Sequence, residues 1–141
     1  MIQENYKILK GEYPKSIILI KSGNFYVAIN DDAIIMNLIF NYKIKQLPTY
    51  MRIGFPVSTL NKITKVLTEK EINYITFKNG EINPVKFNHN NYNNYIEKVL
   101  DYELAQTKIK YIMQELDKHK LNHKIIDVLN EMERALCKIN Y

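Results

Sequence analysis

Apolar and polar residues alternate along the first part of the chain in blocks of two periods. Gln3 to Lys10 reads as a short helix stopped by Gly11 and Pro14. Ile17-Ile18-Leu19-Ile20 is a continuous apolar run, short and β-branched, as in a buried strand. Ser22-Gly23-Asn24 is a turn signal, and Phe25 to Ile29 follows as the second arm of a hairpin. Asn30-Asp31-Asp32 offers capping oxygens for a helix over about residues 32–42, with Ile35, Leu38, Ile39 and Tyr42 on one face. Thr49 to Ile53 reads as a strand, Gly54-Phe55-Pro56 as a sharp corner, and Leu60, Ile63, Thr64 and Leu67 as one face of a helix. Ile72 to Phe77 is a strand, Asn79-Gly80 a hairpin turn, and Glu81 to Phe87 the return, which Pro84 confines to an edge or an irregular path.

The pattern then changes. After the polar stretch Asn88-His89-Asn90-Asn91-Tyr92-Asn93-Asn94, apolar positions recur in steps of three and four. Tyr92, Tyr95, Val99, Tyr102, Gln106, Ile109, Met113 and Leu116 form one seam; Leu121, Ile125, Val128, Met132, Ala135 and Ile139 form a second. The short gap at His119-Lys120 predicts an antiparallel helical hairpin. The fold class expected is therefore α/β, a mixed sheet flanked by helices over residues 1–87, with a C-terminal αα-hairpin over residues 88–141.

Charge adds to this division. The chain of 141 residues carries +5 at pH 7. Residues 1–87 hold twelve basic and seven acidic side chains, and residues 88–141 hold eight of each, so all the excess lies in front. A basic unit can attract phosphate backbones, although many basic soluble proteins bind no nucleic acid. One cysteine, Cys137, excludes an internal disulfide and a cysteine-only zinc site. No apolar run reaches the roughly 18 residues of a membrane span, and the polar start lacks a signal-peptide core, so a cytoplasmic location and no membrane partner are expected.

Candidate chemistry is sparse, and no enzyme activity, metal or cofactor is expected. His119 and His123 share a helix face but lack a third ligand. Asp31-Asp32 reads as a helix cap rather than a catalytic pair, because adjacent carboxylates seldom converge on one reactant. Cys137 has no catalytic histidine pattern nearby and reads as a buried or neutral thiol.

The front unit does resemble a known family. Tyr6 to Lys10, Tyr13-Pro14, the run Ile17 to Tyr26, Asp31-Asp32-Ala33 and Met51-Arg52-Ile53-Gly54-Phe55-Pro56 look, in this order and spacing, like the opening mismatch-recognition domain of the MutS family of DNA mismatch-repair proteins. The resemblance covers about residues 5–78. It implies that Phe25, after the turn made by Gly23, corresponds to the aromatic wedge entering between base steps, and that Val27 stands where the family has a glutamate bonding the displaced base. Phe25 and Val27 lie two apart on a strand and face the same way. An apolar wedge is kept, and the hydrogen-bonding carboxylate is lost. Lys21 and Arg52, with Lys15, Lys43 and Lys45, are candidates for phosphate contacts. The chain has no Gly-x-x-x-x-Gly-Lys-Ser/Thr loop, so ATP-driven signalling is not expected of it. Two functions compete: a non-enzymatic module binding double-stranded or mismatched DNA, and a protein-interaction module that kept the fold, lost readout and uses the C-terminal helices to pair with itself, most simply as a homodimer, or with a partner.

Overall fold

A computed structural model describes residues 1–139. Close packing divides the chain into two units, one spanning Met1–Leu100 and the other beginning at Asp101. The sequence reading drew this line between residues 87 and 88; the first turns of the long helix that follows bury Tyr92 and Val99, which is why packing moves the division later. Asn140 and Tyr141, the end of the expected tail, lie outside the described residues.

The first unit contains α1 (Ile2–Glu12), β1 (Ile17–Ser22), β2 (Phe25–Ile29), α2 (Asn30–Phe40), β3 (Lys45–Gln46), β4 (Met51–Pro56), α3 (Leu60–Glu69), β5 (Tyr74–Lys78) and β6 (Glu81–Val85). Six strands form one mixed sheet in the order β3-β4-β2-β1-β5-β6, with β1 and β5 parallel and the other pairs antiparallel. β1 is central, and Ile17, Ile18, Leu19 and Ile20 are buried on both faces. That is why the run is continuously apolar instead of alternating. On one face Ile18, Ile20, Val27, Ile29 and Ile75 pack against Tyr6 and Leu9 of α1. β6, carrying Pro84, is an edge strand, where a missing N–H costs no ladder bond.

Four local expectations are corrected. α1 runs through Gly11 to Glu12, and the N–H of Tyr13 bonds Leu9 O at 2.8 Å before Pro14 ends it. Gly11 is tolerated because it lies in the last turn. α2 starts at Asn30 and ends at Phe40, with Asn41 in the left-handed conformation, so Tyr42 falls outside it. Its buried residues are the consecutive run Asp32 to Met36, while Leu38 is 43% exposed. Asn30, Asp31 and Asp32 make no side-chain cap bond to the helix. Asn30 Oδ1 accepts from Met51 N at 3.4 Å instead, and Asp32 is fully buried in a network described below. Finally, Gly54-Phe55-Pro56 is no corner. All three residues belong to β4, paired with Val27, Tyr26 and Phe25, and the chain turns afterwards in a 3-10 turn at Val57–Thr59.

The second unit continues α4 (Tyr92–Lys118) and adds α5 (Ile125–Cys137) after a six-residue connection. A cavity between these helices is lined by Ile112, Leu116, Ile125, Val128 and Met132, so the two seams face each other near the connection. Elsewhere they do not close. Ile109 is 51% exposed, Met113 65% and Leu121 96%. Cys137 is exposed, so of the two readings, buried or neutral, the buried one does not hold.

Candidate nucleic-acid interface

β1 and β2 are joined by the two residues Gly23-Asn24, with Ser22 paired to Phe25. Gly23 has φ +60 and Asn24 has no positive φ, the pattern of a II′ turn, which favours glycine at its first central position. The tip is anchored from outside the hairpin as well: Val57 N–H donates to Asn24 O at 3.0 Å. Behind it, Tyr26 stacks on Phe55 with ring centroids 6.0 Å apart, and Tyr42 stacks on Phe55 at 6.4 Å. Tyr26 is thus a core residue on the opposite face, as its parity predicts. Phe25 stands on a braced strand and is 50% exposed.

Register determines its neighbours. Side chains of paired residues share a face. Phe25 pairs with Pro56, Val27 with Gly54, Ile29 with Arg52, and Arg52 with Lys45. Phe25, Val27, Gly54, Arg52 and Lys45 therefore lie on one face; Val27 also belongs to the core packed against α1, and Phe25 lies outside that core. Because Gly54 has no side chain, a depression of about 250 Å³ opens beside Phe25, with Val27 at its floor and Lys43, Lys45 and Arg52 around it. Among the described residues no carboxylate pairs with these three cations.

Of the residues expected at this site, Gly23, Phe25, Val27 and Arg52 come together around the hairpin, joined by Lys43 and Lys45. Lys21 pairs with Tyr26 and so belongs to the other face. Lys15 precedes β1, at the opposite end of that strand, where its carbonyl accepts from Asn90 Nδ2 at 2.8 Å. Gly54 was missed as part of the site because it was read as a corner. A glycine inside an apolar strand signals a place where something approaches closely.

A second polar cluster lies in the core. Lys10 Nζ donates to both oxygens of Asp32, at 2.9 and 3.1 Å, to Ser16 O at 2.7 Å and to Tyr92 Oη at 2.7 Å. Tyr92 O–H donates to Asp32 Oδ1 at 2.8 Å, and Ile18 N–H to Oδ2 at 3.1 Å. Lys10 Nζ also sits 4.4 Å from the Tyr92 ring centre. Burial, and then the charge of Asp32, push the phenols of Tyr92 and Tyr6 far above the usual tyrosine range. This carboxylate is saturated with donors and has no vacant oxygen for a reaction; its geometry is structural. No group of three or more metal-ligating side chains occurs among the described residues, and none of their helices is long and apolar enough to cross a membrane.

Comparison with known proteins gives one result. A family model described as MutS domain I matches residues 1–75, the segment carrying the hairpin, the three cations and all strands but β6 in full or in part. No curated protein matches the chain.

Proposed function

The chain belongs to the MutS domain I family, a domain related to DNA mismatch repair, and from that premise we propose that it is a non-enzymatic module binding double-stranded and mismatched DNA with the face around Phe25. The observation that carries this reading is a half-exposed aromatic on a braced hairpin beside three cations that have no carboxylate partner among the described residues. An apolar wedge can part a base step, and the cost is least where pairing is already faulty. Lys43, Lys45 and Arg52 supply the phosphate attraction. Val27 is buried and has no hydrogen-bonding group, so the displaced base receives no polar contact from this position. Recognition then rests on deformability, with modest affinity.

Fluorescence anisotropy with labelled duplexes at low salt tests this. Binding should weaken as salt rises, with a log-log slope of about −3 if the three cations each release about one counterion. Phe25→Ala should weaken binding to a mismatched duplex roughly tenfold, the scale of one lost aromatic–base contact, and binding to a matched duplex much less. No salt-dependent binding at high micromolar protein would sink the proposal.

A second reading, homodimerisation through the C-terminal helices, is favoured by the apolar side chains that α4 and α5 leave exposed, including Ile109, Met113, Ile126 and Leu136. The occupant that fits is a second copy of this unit. Residues 101–139 carry seven acidic and seven basic side chains, so two copies meet without net repulsion, and a two-fold pair covers the same face twice.

A further inference from the structure

We propose that the depression beside Phe25 holds one unstacked nucleotide of single-stranded nucleic acid, its base against the Phe25 ring and its phosphates on Lys43, Lys45 and Arg52. This rests on the nucleic-acid reading above and names a further ligand class for the same face. Size is the first reason. At about 250 Å³ the depression is smaller than the roughly 300–1,000 Å³ that drug-sized ligands occupy, and is of the order of one base. Chemistry is the second. Its floor is Val27 and the bare backbone of Gly54, which offer no side-chain donor or acceptor to read a base edge but accept any base face or edge that is free of its neighbours. A base inside a duplex is stacked on both sides and cannot enter; a base in a single strand can. Stacking on an aromatic beside a cationic track is a sequence-tolerant mode of holding single strands. Charge is the third. Lys45 and Arg52 are directly paired across β3 and β4 on the same face, where like charges repel, and no carboxylate relieves them among the described residues. A phosphate does.

Gly54→Val tests the proposal by filling the depression without altering Phe25 or the cations. A Cβ at Gly54 would meet Tyr26 O at 3.7 Å and Val27 Cγ2 at 4.0 Å, both ordinary contacts, and a β-branched residue suits a strand. Anisotropy of the full chain is read at low salt with a labelled short oligothymidylate and with a blunt matched duplex, after thermal melting has verified the fold. Gly54→Val should lower affinity for oligothymidylate about tenfold, the contribution of one stacked base, and affinity for the matched duplex much less. If the valine variant melts early, Gly54→Ala replaces it, with a smaller loss in the same direction. Equal loss on both probes, or no loss on the strand, overturns the proposal. Duplex binding by the wild type without oligothymidylate binding overturns this inference and leaves the duplex reading standing; binding of neither overturns both.

Discussion

Asp32 is the residue whose role changed most between sequence and structure. Adjacent to Asp31 at a helix start, it looks like a cap. In the fold it is the buried acceptor for Lys10, Tyr92 and Ile18 N–H. The partners lie 22, 60 and 14 positions away, so no local pattern could announce them. Asp32→Ala should cost about 3–5 kcal/mol by leaving the Lys10 charge without its partner, and Tyr92→Phe about 1–3 kcal/mol, both read by denaturant titration. The two phenols add a pH dependence. Their folded-state pKa values are raised, so the folded protein holds phenol protons that the unfolded chain releases. Their contribution is complete below the unfolded tyrosine pKa of about 10 and falls as pH rises beyond it. Melting temperature should therefore drop above about pH 10, and less steeply in Tyr92→Phe. Phe25 is the contrasting case: the family resemblance marked it as the wedge, the local turn glycine places it next to the hairpin tip, and the fold leaves it 50% exposed.

At the scale of elements, the hairpins were readable because their turn chemistry is local. Asn79 and Gly80 both take positive φ, 51 and 79, as the Asn-Gly pair predicts. Gly11 deceived because a glycine near a helix end reads as a stop, whereas here it has helical geometry and open space, with nothing within 4 Å of an added Cβ. The two glycines should answer oppositely to alanine. Gly11→Ala should stabilise by about 0.4–1 kcal/mol, and Gly80→Ala should destabilise by about 1–2 kcal/mol through its left-handed φ. Chemical denaturation of the pair checks this, and equal signs would contradict the assignment of α1 through Gly11. The asparagine stretch, in sequence a polar break between two patterns, proves to be a clasp. Asn90 Oδ1 accepts from Asn73 N–H at 3.0 Å, and Asn91 Nδ2 donates to Lys70 O at 2.8 Å.

That clasp matters for the whole molecule, since Asn90, Asn91 and Tyr92 belong energetically with the sheet unit. A chain ending after Leu100 should melt as the full front unit does. A chain ending at Phe87 loses the Tyr92 bonds and the buried Val99, and should melt well below it, at about 4–8 °C for each kcal/mol lost in a unit of this size. Sedimentation of the full chain and of the chain ending after Leu100 tests the tail's role: the first should show concentration-dependent dimers that Met113→Lys weakens, and the second should be monomeric. A monomeric full chain at all concentrations would sink the homodimer.

Sequence alone determined the class of the fold and the β1–β2 and β5–β6 hairpins, and narrowed the strand of Pro84 to an edge or an irregular path, because period and turn residues act over a few positions. Tertiary structure decided the remainder. It joined β4 to β2 in the register that places Gly54 over Val27, gathered Lys43, Lys45 and Arg52 around that gap while sending Lys21 to the other face, and recruited Asp32 and Tyr92 to one buried network. Each of these depends on which distant strands and helices become neighbours, and that is fixed by the burial of the whole apolar set at once, not by any local run of residues.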